Sequence, residues 1–240
     1  MLASVTCVQE AVMALEAGAD IIDLKDPSQG ALGALKTEIA RDIVEAVGTL
    51  GVTSATVGDF PAMVPAEVVA GAQRTAKLGV SYVKVGFWGS ANDAACASAL
   101  SPLCAATRVV AVLFADLPYD PKLIDVLYQS GFTGVMLDTA KKDGAPLRLL
   151  KTELELALFV RRVQGLGMLA GLAGKLRLPD VAPLLSLRPD YLGFRGALCA
   201  AGARTNQLDP SALAGIRDAV SAVPRSKLSS AGNFRAKVNR

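Results

Sequence analysis

The 240-residue sequence contains no histidine. That absence excludes Ser-His-Asp and Cys-His catalysis and every imidazole metal ligand. Acid–base and nucleophilic work is left to Lys, Asp, Glu, Tyr, Cys or Ser. Cysteine is sparse, and Cys7, Cys96, Cys104 and Cys199 form neither a CxxC pair nor a zinc spacing. Three of them lie among Ala, Leu or Val and read as small buried hydrophobes, as suits a reducing cytoplasm. There is no basic segment leading into an apolar N-terminal core and no charge-free run of ~18 apolar residues, so neither secretion nor membrane spanning is expected. Net charge is only +3, too little to suggest nucleic-acid binding. Arg225, Lys227, Arg235, Lys237 and Arg240, with no acid among residues 224–240, exceed that whole excess, so the rest of the chain is net acidic. Residues 1–223 are expected to form one catalytic domain and 224–240 a basic, flexible tail.

What the chain does have is one unit repeated. A short apolar, β-branched run leads into a Gly- or Asp-rich turn and then an amphipathic helix. The pattern predicts strands over Ala3–Cys7, Ile21–Lys25, Thr53–Val57, Tyr82–Phe87, Val109–Phe114, Gly134–Asp138, Met168–Leu172 and Tyr191–Phe194. Helices are expected over Val8–Ala17, Glu38–Val47, Ala66–Lys77, Asn92–Ala105, Lys122–Tyr128, Arg148–Val163, Val181–Leu187 and Pro210–Val220. Gly18, Gly79, Gly131 and Gly167 stand where helices should end. The strands are continuously apolar, as in a parallel sheet buried on both faces. Eight such units in one α/β domain of this size give a (β/α)8 TIM barrel. A doubly wound sheet is the alternative, but the first strand lacks its Gly-rich fingerprint.

Barrels of this kind place active sites at the C-terminal ends of their strands, and here those ends are polar. Strand two runs Asp23-Leu24-Lys25-Asp26, strand four contains Val83-Lys84-Val85, and strand six ends at Asp138 with Lys141, Lys142 and Asp143 beyond it. Lys84, flanked by valines, cannot face the helix layer without burying an unpaired ammonium, so it should point into the barrel mouth. Desolvation and neighbouring cations there lower a lysine's pKa and free its amine. The period of two puts Asp23 and Lys25 on one face of their strand. Two interior lysines with carboxylates fit Schiff-base chemistry on a carbonyl, although buried structural ion pairs would leave the same pattern. The residues alone do not rank Lys25 against Lys84 as imine former. Asp59 and Asp116, also at strand ends, could equally well cap loops. After strands seven and eight, Gly171-Leu172-Ala173-Gly174-Lys175 and Gly193-Phe194-Arg195-Gly196 stand where barrels often bind phosphate. Gly174, Lys175, Gly193, Arg195 and Gly196 are the candidate phosphate ligands.

The blocks Gly18–Pro27 with Gly30-Ala31-Leu32-Gly33, Ser54–Asp59, Tyr82–Gly86, Met136–Ala140 with Lys142-Asp143-Gly144, and Gly193–Ala197 occur in order through about residue 220. Together they resemble the (5-formylfuran-3-yl)methyl phosphate synthases, also called 4-(hydroxymethyl)-2-furancarboxaldehyde-phosphate synthases, of methanofuran biosynthesis. The resemblance implies a cytoplasmic, homo-oligomeric barrel lyase. It would condense two glyceraldehyde 3-phosphate molecules, releasing one phosphate and two waters. It also implies Lys25 as Schiff-base former, Lys84 as proton acceptor, and Asp23, Asp138 and Lys142 as further active-site residues. Lys175 departs from the small hydroxyl residue usual in archaeal members, and residues 88–122 look shorter or rearranged. In the expected mechanism Lys25 forms an imine, Lys84 generates an enamine that expels phosphate, and a later enamine attacks the second aldehyde. Such chemistry needs no metal or cofactor. The ligand is then a small phosphorylated aldehyde, with no nucleic-acid or membrane partner. Two other readings stand beside it: a lysine-dependent aldolase on another sugar phosphate and, more remotely, a non-catalytic phosphate-metabolite sensor.

Overall fold

In a computed structural model, which describes residues 1–141 and 143–222, eight parallel strands close into a single barrel in the order β1 to β8. They are β1 Leu2–Val5, β2 Ile21–Leu24, β3 Val52–Thr56, β4 Tyr82–Phe87, β5 Val109–Phe114, β6 Gly134–Asp138, β7 Leu169–Leu172 and β8 Tyr191–Phe194. Ten α-helices are described among the residues outside the sheet: α1 Val8–Glu16, α2 Thr37–Val47, α3 Pro65–Ala76, α4 Asp93–Ala99, α5 Ser101–Cys104, α6 Leu123–Gln129, α7 Leu147–Leu150, α8 Glu153–Gly165, α9 Val181–Ser186 and α10 Pro210–Ala222. The expected (β/α)8 architecture is therefore present and the open doubly wound sheet is not. No described helix is long and apolar enough to cross a membrane. Residues 224–240, expected to be a tail, lie outside the described residues.

Three local differences have local causes. The first strand begins at Leu2, because Leu2 pairs with both Ile21 and Gly193 to close the ring, while Cys7 is already the N-cap of α1. The helix expected over Asn92–Ala105 is broken at Leu100, just before Pro102, which has no N–H to continue the ladder. The Arg148–Val163 pattern divides where Thr152 starts a new helix with a capping box. Its backbone N–H donates to Glu155 Oε2 at 2.7 Å, and its hydroxyl accepts from Glu155 N–H at 3.3 Å. Gly18, Gly79, Gly131 and Gly167 end their helices with φ between 80° and 86°.

Because side chains alternate, each strand sends one set outward to the helices and one set into the barrel. Ala3, Val5, Ile22, Leu24, Val83 and Val85 join the outer core. Leu2, Ile21, Tyr82, Val110, Leu169 and Tyr191 fill the inside below the strand ends. Gly171 makes this floor possible: a Cβ there would lie 2.3 Å from Cζ of Tyr191, whose ring occupies the space the missing side chain leaves. Gly171→Ala should therefore destabilise the barrel by ~1–3 kcal/mol, the usual cost of overpacking, read as a lower midpoint in urea unfolding.

Candidate active site

Above the floor, β2 presents Asp23 and then Lys25 to the interior, and β4 presents Lys84 from across β3. Asp23 is completely buried and fully engaged. Its Oδ1 accepts from Lys84 Nζ at 2.9 Å and from Ser54 Oγ at 2.6 Å, and its Oδ2 accepts from Ser4 Oγ at 2.9 Å. The register brings this about, because Ser4, Asp23 and Ser54 lie directly opposite one another on β1, β2 and β3. Burial is the largest influence on the Asp23 carboxyl and pushes its pKa up. Lys84, then Lys25 and the Ser54 hydroxyl, outweigh it and hold the carboxyl below its usual range.

Lys25 lies one layer nearer the mouth and is held less tightly. Its Nζ is 3.6 Å from Asp138 Oδ2, while Asp138 Oδ1 accepts from Thr139 N–H at 2.7 Å. Burial, the leading cause, pushes the Lys25 amine below its ordinary pKa; the Asp138 carboxylate opposes this, and Lys84 adds to it. Leu32, Trp88 and Phe114 form an apolar wall at this level, the two aromatic rings tilted against each other with centroids 4.5 Å apart. The site thus combines one lysine locked onto a carboxylate with a second, looser lysine whose pKa is pushed down by burial. Asp23, Lys25, Lys84 and Asp138 come together as the sequence reading expects. Lys142 lies outside the described residues.

The other acids at the strand ends serve the scaffold. Asp59 accepts from the N–H groups of Ala31 and Leu32 at 2.9 and 2.7 Å, and Asp116 from those of Ala140 and Lys141 at 2.8 and 2.7 Å. Each ties down the loop that follows a neighbouring strand. Gly30 has to be glycine for the first of these, since its φ is 120° and a Cβ would fall 1.9 Å from Asp59 Oδ2.

The late turns divide into backbone and side-chain roles. The backbone N–H groups of Gly174 and Gly196 donate to no described residue. Gly174, with φ of 106°, packs against Thr139, and Gly193 on β8 pairs with Leu2 on β1. Lys175 spends its amine on the Gly144 carbonyl. Arg195 turns away from the mouth. It donates to Glu10 through both Nη atoms, to the carbonyls of Ser4 and Asn206 at 3.1 and 2.8 Å, and through Nε to the Arg204 carbonyl at 2.8 Å. All five guanidinium N–H groups are thereby used within the protein. Sequence reasoning missed Ser4, Ser54 and Glu10 as partners, and it missed Arg204. Ser4 and Ser54, as polar residues at inward positions of apolar strands, are the two that a stricter period-2 reading could have found.

Several known proteins are similar to this chain. A family model described as 4-HFC-P synthase matches residues 1–217. A (5-formylfuran-3-yl)methyl phosphate synthase of Methanopyrus kandleri is 37% identical over 207 residues, covering 81% of this chain and 87% of that protein. A Methylorubrum extorquens protein given the same name provisionally is 44% identical over 225 residues, covering 94% and 93%. Among solved structures, a 3-hexulose-6-phosphate synthase superposes with a TM-score of 0.66 at 19% identity, covering 92% of this chain and 99% of that one. A phosphoribosyl anthranilate isomerase from Thermus thermophilus gives 0.64 at 17%, covering 93% and 99%. These two likenesses concern the fold alone.

Two measurements check the electrostatics. Arg195→Met leaves the Glu10 carboxylate buried without its cation, which should cost ~3–5 kcal/mol in denaturant unfolding. Because Asp23 is held below its unfolded pKa near 3.8, its contribution to stability is complete above that value and is lost as pH falls through the lower folded one. Asp23→Asn should therefore reduce stability at neutral pH and flatten the acid limb of the stability–pH curve.

Proposed function

The chain belongs to the 4-HFC-P synthase family, and from that premise we propose that this enzyme condenses two glyceraldehyde 3-phosphate molecules into (5-formylfuran-3-yl)methyl phosphate, for the making of a methanofuran-type cofactor. The observation that carries this reading is the unequal treatment of the two interior lysines. Lys25, loosely paired and with its amine pushed below its ordinary pKa by burial, suits the nucleophile. Lys84, fixed 2.9 Å from Asp23, suits a proton acceptor whose ammonium form the carboxylate steadies.

Lys25 Nζ attacks the aldehyde carbon of one substrate and expels water, forming an imine. Lys84 takes the proton from the adjacent carbon, and the ammonium so formed is held by the Asp23 carboxylate. The resulting enamine pushes its electron pair outward and breaks the bond from the third carbon to the phosphate oxygen. The remaining three-carbon unit is nucleophilic at that third carbon. Attack on the second aldehyde would give an unbranched six-carbon chain, whereas the product carries its phosphomethyl group as a branch on the ring. The second triose must therefore join through its middle carbon, as the ketose tautomer reached by the same kind of proton shift. Its free hydroxyl closes onto the first unit's middle carbon. Loss of two waters gives the furan, and hydrolysis of the imine frees Lys25. Asp138, beside Lys25, serves the proton transfers at the imine nitrogen. The unspent N–H groups at Gly174 and Gly196 suit a phosphate oxygen, with Arg195 bracing the second turn from behind.

Borohydride added during turnover should fix substrate carbon onto Lys25, located by mass spectrometry of the digest. Label on neither Lys25 nor Lys84 would sink the covalent proposal. Lys25→Ala should abolish furan absorbance. One inorganic phosphate should appear per furan in the wild-type enzyme, whereas a simple aldolase would release none.

A further inference from the structure

Two phosphorylated molecules must be held in such a reaction, and the turns at Gly174 and Gly196 account for one phosphate. A third cation stands over the mouth beside Lys25. Arg204 follows the left-handed turn at Ala201 and Gly202, and its backbone carbonyl is fixed by Arg195 Nε. Its side chain reaches across from the β8 loop to the β2 loop, where Nη2 donates to the carbonyls of Pro27 and Gly30 at 3.0 and 3.1 Å. Those two bonds use both protons of one nitrogen. Nε is buried and meets no acceptor among the described residues, and Nη1 donates to none either. A guanidinium with three of its five N–H groups unused, in a half-buried position, lacks partners it would normally have. Burial is the leading influence on this guanidinium and lowers its pKa, with the Asp138 carboxylate opposing it, and its charge also reaches Lys25. Arg195, by contrast, has every donor committed and carries no such vacancy.

We propose that Arg204 grips the phosphate of the aldehyde bound to Lys25, the phosphate that leaves, through Nη1, which the β2-loop carbonyls do not use. This rests on the imine reading above and assigns it a residue. The positive charge strengthens binding of the phosphorylated aldehyde and stabilises the departing phosphate dianion. The β2-loop bonds keep the guanidinium in place before substrate arrives, so its long side chain does not have to be ordered on binding.

The test uses the full chain and two probes. In the first, borohydride trapping on Lys25 is compared between glyceraldehyde 3-phosphate and unphosphorylated glyceraldehyde. In the second, affinity for inorganic phosphate is measured by calorimetric titration. Arg204→Gln should reduce the preference for the phosphorylated aldehyde by about tenfold or more and weaken phosphate binding by a similar factor, the usual worth of a charge-assisted contact. Arg204→Lys should fall between the two. A purely structural role for Arg204 would lower trapping of both aldehydes alike. Unchanged preference and phosphate affinity in a folded Arg204→Gln enzyme would overturn the proposal, as would a wild-type enzyme that binds no inorganic phosphate. If Arg204→Gln does not fold, as judged by circular dichroism, unchanged values in Arg204→Lys overturn it instead. If the wild type traps neither aldehyde, the imine reading falls and the phosphate titration alone decides the role of Arg204.

Discussion

The arrangement of the site depends on one buried carboxylate. Asp23 lies at zero exposure inside the barrel, where an ionised group is tolerable only if it is paired and hydrogen-bonded. Ser4, Ser54 and Lys84 answer it from three other strands. Removing any of them leaves charge or hydrogen-bonding capacity stranded in a medium that stabilises neither. The pair is therefore better understood as a means of fixing geometry than as a source of stability: it sets Lys84 at one height, and Lys25, two residues beyond Asp23, at the next.

The same side-chain type does quite different work a few ångströms away. Asp59 and Asp116 accept pairs of backbone N–H groups, Asp190 accepts from Ala170 N–H and Gln164, and Glu10 gathers Thr6, Leu208 and Arg195. These carboxylates shape loops and bring little free charge to the mouth. Asp23 and Asp138, in contrast to Asp59, Asp116 and Glu10, each also face a lysine ammonium, at 2.9 and 3.6 Å.

Much of this was legible from residue order. Period-2 alternation is enough to place Asp23 with Lys25, and an apolar strand flanking Lys84 is enough to turn that lysine inward. Eight repeats of one unit announce a closed barrel. What sequence periodicity cannot supply is lateral reach. Arg195 and Arg204 both lie beyond the last strand, within ten residues of each other, and nothing in their spacing says that one points back to Glu10 while the other crosses to Pro27 and Gly30. Long side chains on irregular loops are oriented by partners far away in the chain. The split of the Arg148–Val163 helix is a milder case, since Thr152 and Glu155 carry a capping box within an otherwise unbroken helical pattern.

The joint between β8 and β1 is narrow, with only Leu2↔Gly193 and Ala3↔Phe194 in register. The Glu10–Arg195 clamp sits beside it and connects residues 185 apart in the chain. Contacts of that separation are entropically the most demanding to form. The turn at Gly196 and the placement of Arg204 both hang from Arg195. The loop that carries Gly196 and Arg204 therefore takes shape only when the two ends of the sheet meet. In a partly folded chain Lys25 and Asp23 can share a strand, but the loop that crosses to Pro27 and Gly30 is not yet in place, so the mouth is completed only by closure of the ring.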